Sequence, residues 1–142
     1  MLLVSKYLAG MGNGVCAAAI LSRGLLAAVR RDHNGGTTAK TVLVRASGPS
    51  LVPFRVSGTL PDPELQLFAA GSSSVPVAAS TGWGGSAQIA AASASAGAFS
   101  WGTSATPDSA ILLTLPPGAY TAMVSGASGD GGVALIEVYD IP

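Results

Sequence analysis

From residue 41 onward, apolar and polar positions alternate with a period of two, in short runs separated by turn residues. "TVLVRA" (41–46) sets Val42 and Val44 against Leu43 and Arg45, the alternation of a strand. "SGPSLVPF" interrupts it with Pro49 and Pro53. "GTLPDPEL" (58–65) turns into a second alternating run, "ELQLFA" (64–69), and "AGSSS" (70–74) turns again. "VPVAAS" (75–80) is then a short return strand, so 64–80 is expected to be a hairpin. After the loop "TGWGGS" (81–86), "SAQIAAASASAGAF" (86–99) loses the alternation. Ser86 stands as an N-cap and Gly97 as a stop, so one short helix is expected near 86–96.

Three strands are expected to close the chain. "SAILLTL" (109–115) is nearly all apolar, which predicts a central strand. "LPPGAY" (115–120) then turns the backbone, because proline fixes φ and glycine accepts conformations that other residues avoid. "AYTAMVSG" (119–126) puts Tyr120, Ala122 and Val124 on one face, and Thr121, Met123 and Ser125 on the other. "ASGDGG" (127–132) is a turn before "VALIEVYD" (133–140), where Ala134, Ile136 and Val138 alternate with Leu135, Glu137 and Tyr139. Closely spaced strands with turn signals between them predict an antiparallel β-sandwich of jelly-roll or immunoglobulin-like type over residues 41–142.

Residues 1–40 read differently. "GVCAAAILSRGLLAAVRR" (14–31) places Val15, Ala18, Ala19, Leu25, Leu26 and Val29 at helical spacing, with Arg30 and Arg31 suited to a helix C-terminus. "HNGGTTAK" (33–40) then reads as a linker, so 1–40 is expected to be a helical segment followed by that linker. Lys6 followed by an apolar stretch has some look of a signal peptide. Asn13 and Arg23 interrupt it and no small-x-small cleavage site follows, so it is not read as one.

Composition sharpens this picture. Of 142 residues, 49% are hydrophobic and only 10% charged, with 19 glycines and 9 prolines, which suits short strands and a weakly charged surface. The net charge is zero but uneven. Five cations against one anion give residues 1–40 a charge of +4, and two against six give the remainder −4. So few cations, without interleaved aromatic groups, do not make a nucleic-acid surface, and no nucleic-acid partner is expected. A single cysteine, Cys16, excludes an internal disulfide and a cysteine-based zinc cage, and no apolar run is long enough for an ordinary transmembrane helix.

"KTVLVRASGPSLVPFRVSGTLPDPELQLF", "GW" (82–83), "IAAASASAGAF" and "SAILLTLPPGAYTAMVSGASGDGGVALIEVYD" together resemble an uncharacterised β-rich repeat domain of large secreted or surface proteins of environmental bacteria. The resemblance covers about residues 40–140. More distantly, "DPELQLF … PPGAYTAMVSG … GVALIEVYD" is similar to the bacterial pre-peptidase C-terminal domain, a small β-sandwich appended to secreted enzymes. The resemblance implies an accessory module, secreted or on the cell surface, with no catalytic role. The family opens with another strand pair ahead of its "KTVLVRA" equivalent, where residues 1–39 here read as helix and linker. A divergent or mis-started N-terminus is therefore expected, leaving a sheet edge open to self-association or to a protein partner. The family also carries Asp or Asn before its Trp, where this chain has "STGWGG".

Candidate chemistry is sparse. A Ser–His–Asp hydrolase needs a histidine base, and the only one, His33, lies in the linker. No serine sits in a Gly-x-Ser-x-Gly elbow, and Cys16 among alanines reads as a small buried side chain. Gly10, Gly12 and Gly14 are spaced G-x-G-x-G, which lacks the third glycine position of a dinucleotide loop. Asp62, Glu64, Asp108, Asp130 and Asp140 form no Asp-x-Asp-x-Asp series and read as turn residues, so no metal and no cofactor are expected. Among the aromatics Trp83, Trp101, Tyr120 and Tyr139, the first three are the candidate ligand-binding residues. Trp83, flanked by glycines, is the foremost, and core packing is the competing role for all of them. The functional expectation is a non-catalytic extracellular accessory module for adhesion, spacing or assembly. The alternative is a carbohydrate-binding module using exposed aromatics.

Overall fold

The structure, a computed structural model, describes residues 4–8, 16–22, 25–31, 39–69, 71–72, 74–102 and 106–141, the first three stretches as backbone. In chain order its strands are β1 (Val4–Leu8), β2 (Cys16–Ser22), β3 (Leu25–Arg31), β4 (Lys40–Ser47), β5 (Pro63–Ala69), β6 (Ala78–Ser80), β7 (Ser109–Leu115), β8 (Gly118–Gly126) and β9 (Val133–Ile141). A 3-10 turn follows β4 at Pro49–Phe54, and one helix, α1, spans Ala87–Ser95. The strands form two antiparallel sheets, in the orders β1-β2-β9-β4-β7 and β3-β8-β5-β6.

The alternation seen in the sequence directs the packing. Val42, Val44 and Ala46 of β4, Leu65 and Leu67 of β5, Ala122 and Val124 of β8, and Ile136 and Val138 of β9 meet in one apolar cluster drawn from both sheets. Each Val, Leu or Ile removed from water there contributes about 1.5–3 kcal/mol, which makes this layer the main stabilising element. Hairpin β5–β6 forms as expected, with Leu65 opposite Ser80 and Leu67 opposite Ala78, although β6 is only three residues long. Between the sheets, the segment Gly58–Leu60 clips onto the start of β9. The Leu60 amide donates to the Val133 carbonyl and the Val133 amide to the Gly58 carbonyl, each at 2.8 Å.

Helix α1 begins and ends on the signals the sequence carries. Ser86 Oγ accepts from the Ile89 amide. At the other end Gly97, at φ 75°, turns the chain so that the Ala98 amide donates to the Ser93 carbonyl and the Gly97 amide to the Ala94 carbonyl. This is the glycine-dependent helix stop in which two late carbonyls are satisfied at once.

Three expectations need correction. The helix over 14–31 is not present in the described residues, where Cys16–Ser22 and Leu25–Arg31 are strands. Two seven-residue apolar runs with a glycine between them fit either state by periodicity. Available pairing partners decide it, as β2 lies on β9 and β3 runs along β8 from Leu25↔Val124 to Arg31↔Gly118. The same pairings cover the edges of β8 and β9 that an absent N-terminal strand would have left open. Strand β7 is not central, since it ends its sheet beside β4. It is apolar on both faces because Ile111 and Leu115 join the intersheet core while Ala110 and Leu112 pack beneath a second, outer layer.

Candidate functional site

That outer layer is where polar and aromatic chemistry collects. Residues of β4 that point away from the intersheet core would ordinarily face water. Here Leu43 and Arg45 are instead fully covered, by a cluster containing Ala92 of α1, Trp101, Trp83, Phe99 and Ile89. The segment between β6 and β7 therefore works as a lid on β4, β7 and β9. Trp83 and Trp101 meet edge to face with ring centres 5.6 Å apart.

Asp108, just ahead of β7, positions this lid. Its side chain is fully buried and accepts from the Gly48 amide at 2.7 Å, the Ser50 amide at 3.2 Å and the Ser50 hydroxyl. Its own carbonyl accepts from the Trp83 amide at 2.9 Å. One residue thus caps the 3-10 turn that follows β4 and ties down the loop carrying Trp83. Each indole is also fixed: Trp101 Nε1 donates to Ser47 Oγ at 2.8 Å, and Trp83 Nε1 to Thr106 Oγ1 at 3.0 Å.

Arg45 lies beneath the aromatic layer, 1% exposed. Its cross-strand neighbour on β9 is Glu137, and Nε sits 3.9 Å from Glu137 Oε1. The Tyr139 hydroxyl donates to Glu137 Oε2. Nη2 donates to the Phe99 carbonyl at 2.8 Å. Two rings pack against the guanidinium, the Trp101 centroid at 4.3 Å and the Phe99 centroid at 4.7 Å from its central carbon. Among the described residues Nε, Nη1 and Glu137 Oε1 have no hydrogen-bond partner. Burial pushes the Arg45 pKa below its ordinary value, and the negative charge of Glu137 opposes that shift.

Above Arg45 a pocket of about 200 Å³ opens, walled by Trp83, Phe99, Trp101, Ala90 and Ala94. It exists because α1 presents alanines there. Leucine at the same positions would fill it. Such a volume is below the ~300–1,000 Å³ of pockets for drug-sized ligands.

Of the sequence candidates, the structure brings Trp83 and Trp101 together and sets Tyr120 apart. Tyr120 is buried in the intersheet core, its hydroxyl donating to the Pro116 carbonyl at 2.9 Å, so it takes the core role and is removed from the ligand-binding set. Trp101 is itself only 8% exposed, and Trp83 is half-buried; the two make a pocket wall rather than an open platform. Arg45, Phe99 and Asp108 were not anticipated. The signal for Arg45 was an arginine at a period-two position in a strand otherwise apolar on both faces, "TVLVRA". His33 and Gly10, Gly12 and Gly14 lie outside the described residues. Among those described, no three His, Cys, Asp or Glu side chains cluster as a metal would require. No described helix is long and apolar enough to cross a membrane. Compared with family models, curated proteins and solved structures, the chain matches none.

Proposed function

We propose that this chain is a non-catalytic accessory module, a two-layer antiparallel β-sandwich that acts outside the cell and holds a sugar-sized ligand in the aromatic pocket. The observation that carries the reading is the pair Trp83 and Trp101, both fixed by hydrogen bonds and both lining the pocket above β4. Flat indole faces beside a small cleft suit the C–H faces of a pyranose ring, with nearby hydroxyls such as Ser93 and Ser100 to orient it. The sandwich architecture is supported by the single core shared between the sheets. The extracellular setting is supported by the low charge content and by the resemblance to repeat domains of secreted and surface proteins. Adhesion or spacing within a larger assembly is the wider role such a module would serve.

A glycan array probed with the wild-type chain and with Trp83→Ala tests the reading. A defined set of sugars bound by wild type and lost in the variant is expected. Binding unchanged in Trp83→Ala, or no binding to any sugar, would overturn it.

A further inference from the structure

We propose that the pocket selects a carboxylate-bearing sugar, a hexuronate-type ring whose carboxylate meets the Arg45 guanidinium while its ring lies against Trp83. This rests on the reading of the pocket as a sugar-sized site and names the chemical class that the site prefers.

The argument begins with an unmet requirement. A buried guanidinium carries five N–H donors, and buried donors in folded proteins nearly always have partners. Arg45 has one hydrogen bond, to the Phe99 carbonyl, and Nε and Nη1 have none among the described residues. Glu137, at 3.9 Å, offsets charge without accepting a hydrogen bond from it. Nε and Nη1 are closed off from solvent, but Arg45 itself lines the pocket, and an acceptor pressed against it there would meet donors that the fold leaves open.

Geometry then narrows the acceptor. Phe99 and Trp101 both pack against the guanidinium, and its N–H groups project in its own plane, so an acceptor has to meet it there. A carboxylate suits that approach, because its two oxygens match two parallel N–H donors, and the second hydrogen of Nη2 completes such a pair with Nε or with Nη1. Glu137 keeps the local charge near neutral, so attraction depends on aligned hydrogen bonds rather than on net charge. A bare anion gains little in such a place. A ring that also buries its apolar face on the indole gains both terms.

The test is calorimetric titration of the full chain with glucuronate, glucose, acetate and inorganic phosphate, repeated on Ala94→Leu. Ala94 is exposed on α1 and lines the pocket, so leucine there blocks the cleft while remaining a good helix former. Saturable glucuronate binding is expected, with glucose, acetate and phosphate each weaker by at least about tenfold, since a hydrogen bond to a charged group is worth that factor or more. Ala94→Leu should unfold at the wild-type temperature and lose glucuronate binding. Glucose binding as tightly as glucuronate would overturn the acid preference and leave the sugar-binding reading standing. Acetate or phosphate matching glucuronate, or binding that survives in Ala94→Leu, would overturn the assignment to this pocket. Absence of binding to every probe would overturn the acid preference, and the sugar-binding reading would then stand or fall on the glycan array.

Discussion

At the scale of single residues, Asp108 and Arg45 show two ways of burying charge. Asp108 is satisfied: two backbone amides and a hydroxyl point at its carboxylate, and the cost of desolvation is offset by charge-assisted hydrogen bonds. Arg45 is only partly satisfied, with Nε and Nη1 unpaired among the described residues, and the proposed acid preference rests on this difference. Removing the Asp108 carboxylate leaves buried donors without partners, so Asp108→Ala should cost about 3 kcal/mol or more in urea unfolding. Asp108→Asn keeps an oxygen for the Gly48 and Ser50 amides and should cost about 1 kcal/mol. Equal losses in the two variants would show that the carboxylate oxygens are not the clasp. Neither role was legible beforehand. "TPDS" reads as a turn aspartate, because the partners it clasps lie 58 and 60 positions earlier in the chain.

At the scale of elements, legibility followed how local each signal was. Helix α1 could be placed to within a residue or so because its start and stop depend on Ser86 and Gly97 alone. β8 and β9 carried their inward faces in plain alternation, and Tyr120, Ala122, Val124, Ala134, Ile136 and Val138 are all core residues. β2 and β3 were misread because alanine-rich runs fit either period and only their distant partners choose. β7 was misplaced because a strand covered on both faces looks central even at the end of a sheet. One element boundary depends on close backbone approach at two glycines. A Cβ on Gly48 would lie 2.2 Å from the Leu60 carbonyl oxygen, and one on Gly132 would lie 2.6 Å from the Leu60 backbone. Backbone has no rotamer with which to escape, so Gly48→Ala and Gly132→Ala should each destabilise by about 2–3 kcal/mol in thermal or urea unfolding. Wild-type stability in both would mean that Gly58–Leu60 does not clip onto β9 as described.

At the scale of the whole molecule, the chain divides its apolar residues between two layers with different work. The layer between the sheets is regular and built mainly from aliphatic side chains, with Tyr120 among them, and it supplies stability. The layer outside β4, β7 and β9 is built from aromatics, alanines and a charge pair, and it encloses a pocket instead of filling it. Period-two alternation announces the first layer directly. The second is assembled by a segment, residues 81–108, whose Trp, Phe and Asp are scattered among Gly, Ala and Ser, so their meeting point is set by tertiary structure alone. The division of labour is open to direct observation through the side-chain N–H resonances of the full chain during titration with glucuronate. The Trp83 and Trp101 indole signals and the Arg45 Nε–H signal should move together along one saturation curve, while the Val44 and Ile136 methyl groups of the inner layer stay still. Saturation that moves the inner methyl groups, or that leaves all three N–H signals in place, would contradict the account.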